Sequence, residues 1–232
     1  RDPSYALAYA GLADCYDSLG SWESGALDPR EAMPKAKAAA SRALEIDPNL
    51  GEAHNSLALA RLHFDRDWAG AGAGFRRAIE LNPGYAHAHH WFSHYWTAMG
   101  RVDESLAESR RCLELDPLDI VCNSHLSWHY LQARQVEPAI EQCERTIELD
   151  AANPWAYFYL GWAYEQKGMY GEAVREHEKA VERSGRSTVT LGALGYALAA
   201  AGDQAAVDKI LEELSEKSRH NYVGSYERGM IY

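Results

Sequence analysis

The chain has 232 residues, with 23 lysine and arginine residues against 34 aspartate and glutamate residues and a net charge of −11. Because phosphate groups and anionic lipid surfaces select basic proteins, this balance argues against nucleic acid or a membrane as the main ligand. No apolar run approaches the roughly 18 residues that a membrane-spanning helix needs, so we expect a cytoplasmic protein.

Pairs of a large apolar residue followed by a small one recur along the chain at spacings of 45, 35, 34, 34 and 34 residues. These pairs are Leu12-Ala13, Leu57-Ala58, Phe92-Ser93, Leu126-Ser127, Leu160-Gly161 and Leu194-Gly195. A period of 34 is typical of stacked helix pairs, so the sequence predicts an all-α array. Such an array presents a long surface built from neighbouring repeats.

Each helix pair is numbered here from its first residue, which places the large-small pair at positions 7 and 8. The predicted repeats are 6–48, 51–83, 86–117, 120–151, 154–185 and 188–219, followed by the first helix of a seventh at 222–232. The first repeat is 11 residues longer than the 34-residue period, and it carries an inserted loop at 20–28. Asp28 and Pro29 then predict a helix start, as a cap and a first-turn proline. The second repeat has one extra residue near 65–68.

The ends of the helices are marked by turn residues. Gly100, Gly168 and Gly202 follow the predicted first helices, where glycine can adopt the left-handed cap conformation. Asp-Pro or Asn-Pro closes the second helices of the first three repeats, because proline disfavours helix in the residue before it. The second helices also place a small, a large and a small residue at positions 20, 24 and 27.

These positions resemble the signature of the tetratricopeptide repeat (TPR), and the resemblance covers essentially the whole chain. It implies a right-handed superhelical solenoid of antiparallel helix pairs, six full repeats and the first helix of a seventh in a single array. In that family, positions 2, 5, 9 and 12 of the first helices face a concave groove, and we call these the inner positions. TPR domains that hold chaperone C-terminal tails carry Lys, Arg and Asn there. The inner positions of this chain hold no Lys or Arg, so that ligand is not expected.

The inner positions change in character along the chain, and they supply the candidate partner-binding groove. The candidates are acidic, then histidine, then aromatic or apolar: Asp14, Asp17, Glu52, His87, His90, His94, Trp128, Leu131, Trp155, Phe158, Trp162 and Tyr196. Exposed aromatic residues on a concave surface are typical hot spots for a protein partner. The sequence therefore predicts a non-enzymatic module that binds an apolar or basic peptide or helix of another protein in this groove.

Two alternatives use the same residues. Trp155, Phe158 and Trp162 follow an i, i+3, i+7 spacing, which is also that of an internal packing stripe. His87, His90 and His94 lie on one face of one helix and are the candidates for a metal site or for a pH-responsive groove. Zinc usually requires three or four ligands, and no carboxylate lies beside these histidines among the inner positions.

The sequence contains no phosphate-binding glycine loop, HExxH or GxSxG motif, so we expect neither catalysis nor a cofactor. A further alternative is self-association. The apolar face of the helix at 222–232, left uncovered by a capping repeat, would then support a homodimer.

The segments 6–16 and 34–40 and the run His89-His90-Trp91 are similar to TPR regions at the C-terminal ends of larger bacterial proteins. Those proteins combine the repeats with a kinase, a cyclase or a transcription regulator. The resemblance implies a regulatory or scaffold role, and it implies that the chain is a fragment.

Overall fold

The computed structural model describes residues 5–21, 26–219, 229 and 231. Twelve α-helices lie in this part of the chain, and no residue of it is in a strand. They are α1 (Ala6–Leu19), α2 (Pro29–Ile46), α3 (Gly51–Ala60), α4 (Trp68–Leu81), α5 (Ala86–Ala98), α6 (Val102–Leu115), α7 (Ile120–Gln132), α8 (Val136–Leu149), α9 (Pro154–Gln166), α10 (Tyr170–Arg183), α11 (Thr188–Ala201) and α12 (Gln204–Lys217). Each odd-numbered helix packs against the next helix. The predicted all-α fold of helix pairs is confirmed.

All six first helices begin at position 1 of their predicted repeats. They begin at Ala6, Gly51, Ala86, Ile120, Pro154 and Thr188. In the last three repeats a polar residue directly before the helix accepts a hydrogen bond from a backbone N–H of the first turn. These caps are Asp119, Asn153 and Ser187. Such a cap satisfies one of the donors that the first turn cannot pair internally, and it fixes where the helix begins.

The helices also end where the turn residues predict. Gly100, Gly168 and Gly202 have φ of +69°, +71° and +86°, in the left-handed region that glycine adopts without steric cost. The equivalent position of the fourth repeat is Arg134, which has φ of +59°. The turn geometry is therefore kept even where the sequence does not supply glycine.

Small residues at position 8 lie at the contact between the two helices of a pair. All six of these residues are buried: Ala13, Ala58, Ser93, Ser127, Gly161 and Gly195. The second helices contribute the predicted small, large and small residues to the core, as shown by Ala71, Phe75 and Ala78, which are each 0% exposed. The repeat pattern therefore specifies the packing within each pair, because a small residue opposite a large one lets two helices approach closely.

The single extra residue of the second repeat is absorbed in a π-helical turn, Arg61–Asp65, that continues α3. A π turn closes hydrogen bonds one residue further along the chain than an α turn, so it accommodates one residue more. Arg66 then reverses the chain with φ of +55°. The extra residue predicted near 65–68 is therefore accommodated slightly earlier, in the π-helical turn that ends at Asp65.

The insertion at 20–28 is described only at its ends, because residues 22–25 lie outside the described residues. The backbone N–H of Leu27 donates to the carbonyl of Leu19 at 2.9 Å, and Asp28 caps α2 by accepting from the N–H of Arg30 at 2.8 Å. Most of the predicted helix at 222–232, and with it the proposed homodimer contact, also lies outside the described residues. Ile231 is described and is buried.

The chain is divided into two compact units. Unit 1 (Arg1–Pro117) contains α1 to α6, and unit 2 (Leu118–Tyr232) contains α7 to α12. In the described part of the chain, no helix has both the length and the apolar character needed to cross a membrane.

Candidate functional site

The acidic candidates come together in unit 1, where the first helices of the first two repeats pack against each other. Asp14 and Asp17 lie three residues apart on one face of α1, and Glu52 lies in the first turn of α3. Asp14 is partly exposed and accepts a hydrogen bond from the Ser56 hydroxyl at 2.5 Å. The Glu52 carboxylate accepts one from the Asn82 side chain at 3.3 Å.

Asp17 differs from the other two carboxyl groups because it is buried and has no hydrogen-bond partner in the described part of the chain. The residue is 5% exposed, and neither of its carboxyl oxygens accepts a hydrogen bond from a residue that the structure describes. Burial raises its pKa to about 8, and the neighbouring charge of Asp14 adds to this effect. A carboxyl group that most proteins keep ionised at neutral pH is therefore held largely protonated here.

Other groups of unit 1 act on the same region. Burial also raises the pKa of Asp14, whereas the hydrogen bond from Ser56 and the charge of His87 lower it and the charge of Glu52 raises it. Burial, followed by the charges of Asp14 and Glu52, raises the pKa of Tyr85. Negative potential thus concentrates between α1, α3 and the start of α5, so this part of unit 1 favours a cation.

The three candidate histidines lie on α5 at different depths. His87 is exposed, His94 is partly buried and His90 is 2% exposed. The rings of His90 and His94 meet at 4.8 Å between centroids with an interplanar angle of 64°, and Trp91 packs edge-on against His90 at 4.6 Å. The metal site that these histidines could form stays a prediction.

The aromatic and apolar candidates lie on the first helices of unit 2, where they range from buried to exposed. Phe158 and Leu131 are each 1% exposed and belong to the core. Trp128, Trp155 and Trp162 pack against that core and remain partly exposed, whereas Tyr196 is 41% exposed. Of the three residues named in the packing alternative, Phe158 is buried in the core, whereas Trp155 and Trp162 keep exposed surface. Trp128 and Tyr196 also keep surface that a partner can contact.

Three of these side chains occupy the same position in consecutive repeats. Trp128, Trp162 and Tyr196 stand at position 9 of α7, α9 and α11, 34 residues apart. The Trp162 ring packs against the rings of Phe158 and Tyr159, at 4.8 Å and 5.9 Å between centroids. A ring held in this way loses little side-chain entropy when a partner binds, so Trp162 is the strongest contact candidate in this row.

The sequence pattern did not indicate the polar groups that connect the first helices to their surroundings. Ser56 and Tyr85 stand outside the inner positions, so the family pattern gave no reason to select them. Glu165 stands at an inner position, and its carboxylate accepts a hydrogen bond from Nε2 of His177 at 2.9 Å. A histidine at position 24, where the second repeat has Phe75, was the available signal for this pair.

Comparisons with known proteins agree with this architecture. Residues 143–175 match the family model of the tetratricopeptide repeat. The crystal structure of PilW, described as a widely conserved type IV pilus biogenesis factor, is similar over 98% of this chain and 98% of its own, with 18% identity and a TM-score of 0.73. TTC0263, a thermophilic TPR protein of Thermus thermophilus, is similar over 83% of this chain and 98% of its own, with 17% identity and a TM-score of 0.70.

Human IFIT1, solved as a dimer with m7Gppp-AAAA, is similar over 79% of this chain and 46% of its own, with 16% identity and a TM-score of 0.68. The comparison with curated proteins found no match. The matched repeat and the shared helix-pair architecture confirm the prediction made from the 34-residue period: the chain carries a tetratricopeptide repeat and has the fold of tetratricopeptide-repeat proteins.

Proposed function

We propose that this chain is a non-enzymatic protein-protein interaction module that binds a peptide or helix of a partner along the inner positions of its first helices. The observation that carries the proposal is the row of aromatic side chains at position 9 of unit 2, namely Trp128, Trp162 and Tyr196. Large, rigid aromatic side chains on a preformed helical surface supply apolar contact area at low entropic cost.

The class of ligand is argued from charge, because the fold alone does not determine it. IFIT1 shares the fold and was solved with m7Gppp-AAAA, so TPR proteins are not restricted to protein partners. A net charge of −11 opposes the phosphate contacts on which nucleic-acid affinity depends. An apolar protein segment fits the aromatic row of unit 2, and a basic segment fits the acidic residues of unit 1. We propose that the module serves a regulatory or scaffold role within a larger protein.

The test uses peptides selected against the whole chain from a random phage-displayed library, with affinity measured by fluorescence anisotropy. Trp162→Ala and Tyr196→Ala are each expected to weaken binding by about tenfold or more, since truncating a hot-spot residue costs roughly 2 kcal/mol. Tyr170→Ala removes a partly exposed aromatic ring from a second helix and should leave affinity unchanged.

Circular dichroism of each variant separates loss of binding from loss of fold. If the selected peptides bind Trp162→Ala and Tyr196→Ala as tightly as the parent chain, the aromatic row is not the binding surface. Sedimentation at several protein concentrations in the same experiment distinguishes peptide binding from self-association, which would change the size of the particle with concentration.

A further inference from the structure

Asp17 is the one carboxyl group of α1 that is buried and accepts no hydrogen bond from any part of the chain that the structure describes. Buried polar groups in native proteins are almost always hydrogen-bonded, and a buried carboxylate is costly unless a positive charge faces it. The buried and unpaired carboxyl group of Asp17 therefore requires a physical explanation.

Among the described residues, no lysine or arginine of α2, the helix that packs against α1, pairs with Asp17. All four are engaged with other acids: Lys35 contacts Glu31 at 2.7 Å, Lys37 contacts Asp65 at 2.5 Å, Arg30 contacts Asp28 at 2.6 Å and Arg42 contacts Glu45 at 2.7 Å. On α1 itself the neighbouring charge is Asp14, which is negative. A positive charge that pairs with Asp17 must therefore come from outside the described part of this unit.

The groups on the other elements around this position do not substitute for a cation. From α3, Glu52 is negative and Ser56 donates its hydroxyl to Asp14. From the start of α5, His87 acts on Asp14 and Tyr85 is kept neutral by burial and by the nearby acids. Among the described residues, the groups around Asp17 thus include acidic acceptors, and no lysine or arginine pairs with its carboxyl group.

A metal ion fits this arrangement poorly. Among the described residues, Asp14, Asp17 and Glu52 do not bring three ligand atoms within 4.8 Å of one another. Calcium and magnesium need six or more oxygen ligands close around one point. A guanidinium group has the opposite requirement, because its planar fork of N–H donors pairs with the two oxygens of a single carboxylate.

Asp14 is the partly exposed acid whose charge acts on the buried carboxyl of Asp17. It lines an open depression of the α1 surface together with Cys15, Ser18 and Leu19. Asp17 lies three residues further along the same helix face. A long, flexible, positively charged side chain that contacts the protein beside Asp14 would place its charge near the carboxyl groups of both Asp14 and Asp17.

We propose that Asp17, with Asp14 at the entrance, receives an arginine side chain of the protein partner. The inference rests on the proposed interaction function and specifies the chemistry that unit 1 recognises. Both oxygens of Asp17 accept from the guanidinium, which supplies the hydrogen-bond donors that the described residues do not provide, and the nearby carboxyl group of Asp14 attracts the same positive charge.

This mode of binding carries a proton signature. Asp17 holds a proton at neutral pH in the free protein and must release it to pair with a guanidinium. Proton release makes affinity depend on pH: binding is expected to weaken about tenfold for each unit of pH below the pKa of Asp17 and to level off above it. A merely structural buried aspartate would show no such response to an added cation.

The experiment uses the whole chain labelled with 13C at the aspartate carboxyl carbons and N-acetyl-arginine amide as the probe. NMR titration should show the Asp17 midpoint near pH 8 in the free protein and a clearly lower midpoint when the probe is present. N-acetyl-citrulline amide, which has the same shape without the charge, should leave the midpoint unchanged. Asp17→Asn should abolish binding of the arginine probe, whereas Glu148→Gln, a change at an exposed acid of α8, should not.

Three results would overturn the proposal. The first is an Asp17 midpoint that does not respond to the arginine probe. The second is a lysine amide that shifts the midpoint as much as the arginine amide, because a bidentate site prefers guanidinium. The third is an Asp17 midpoint that shifts when calcium ion is added but not when the arginine probe is added. If Asp17→Asn fails to fold, Asp14→Asn provides the second variant, and it should weaken the response without removing it.

Failure of this proposal can be told apart from failure of the proposed function. The arginine probe reports on unit 1 alone, whereas the Trp162→Ala and Tyr196→Ala variants report on unit 2. A chain that loses peptide affinity in those variants but ignores the arginine probe remains an interaction module without an arginine pocket.

Discussion

The imidazole of His177 on α10 donates from Nε2 to the carboxylate of Glu165 on α9 at a distance of 2.9 Å. His177 is 0% exposed and stands at position 24, where the second repeat places Phe75. The ring of Phe158 packs against it at 5.8 Å between centroids. A polar ring thus replaces an apolar one in the core, and an acid from an inner position of the facing helix supplies its partner.

This ring determines how closely α9 and α10 approach. A Cβ atom built on Gly161 would lie 2.5 to 2.7 Å from the imidazole atoms of His177. We expect Gly161→Ala to lower the free energy of unfolding by about 1 to 3 kcal/mol, since the buried ring has no room to move away. Unfolding in urea, followed by circular dichroism, measures the change.

Gly171→Ala is the matched control for that substitution. Gly171 lies in α10, and a Cβ atom built on it meets nothing within 4 Å. Alanine there should raise stability by up to about 1 kcal/mol, because it reduces the freedom of the unfolded chain. Equal effects at the two glycines would show that the contact with His177 does not limit the helix spacing.

Arg134 provides a second test of the repeat geometry. It has φ of +59°, whereas Gly100, Gly168 and Gly202 occupy the equivalent position in their repeats. We expect Arg134→Gly to raise the free energy of unfolding by roughly 0.5 to 1 kcal/mol, because glycine removes the steric cost of the left-handed conformation. Arg134 is exposed, so little packing is lost.

Arg134→Ala separates the backbone effect from the loss of the side chain. Alanine keeps a Cβ atom and therefore keeps the left-handed cost, so its stability should stay close to that of the parent chain. The measurement is again the urea midpoint. A stabilisation by alanine as large as that by glycine would place the effect in the arginine side chain instead of the backbone.

Helix order, helix starts and core positions could be predicted from the sequence because they depend on local patterns that recur every 34 residues. The starts at Ile120, Pro154 and Thr188 follow from cap residues and a fixed register. The π turn at 61–65 could not be predicted from the sequence. One added residue can either lengthen a turn or form a wider helical turn, and the repeat spacing is the same in both cases.

The candidate site was only partly accessible to sequence reasoning. Position 9 identified Trp162 and Tyr196, since their spacing equals the repeat period. The burial of Phe158 and Asp17 depends on how neighbouring repeats pack. The residue pattern at the inner positions does not show which of these side chains are buried and which are exposed. The protonated state of Asp17 is likewise a product of packing, because desolvation is its largest cause.

The raised pKa of Asp17 predicts a specific dependence of stability on pH. The folded chain binds the proton up to about pH 8, whereas the unfolded chain releases it near its ordinary pKa of about 4. The folded state therefore holds more protons between these values, so the free energy of unfolding falls as pH rises through this window. The fall is at most about 1.4 kcal/mol per pH unit, and up to about 5 kcal/mol in total.

Asp17→Asn should flatten this dependence and leave the variant more stable than the parent chain at about pH 8. Urea unfolding at a series of pH values measures the slope for both proteins. Glu148→Gln removes an exposed acid of α8 and should keep the slope of the parent chain. If the parent and Asp17→Asn lose stability in parallel above about pH 5, Asp17 is not the group that titrates.

Asp14→Asn tests the second cause of the same pKa. The negative charge of Asp14 raises the pKa of Asp17, so removing that charge should lower the Asp17 midpoint while burial still holds it above 3.8. Asparagine keeps an oxygen that can accept the hydrogen bond from Ser56, so the contact between α1 and α3 is preserved. The pH range over which the free energy of unfolding falls should then end at a lower pH. An unchanged midpoint for Asp17, measured by carboxyl 13C NMR, would show that Asp14 is itself neutral when Asp17 titrates, and the coupling between the two acids would have to be abandoned.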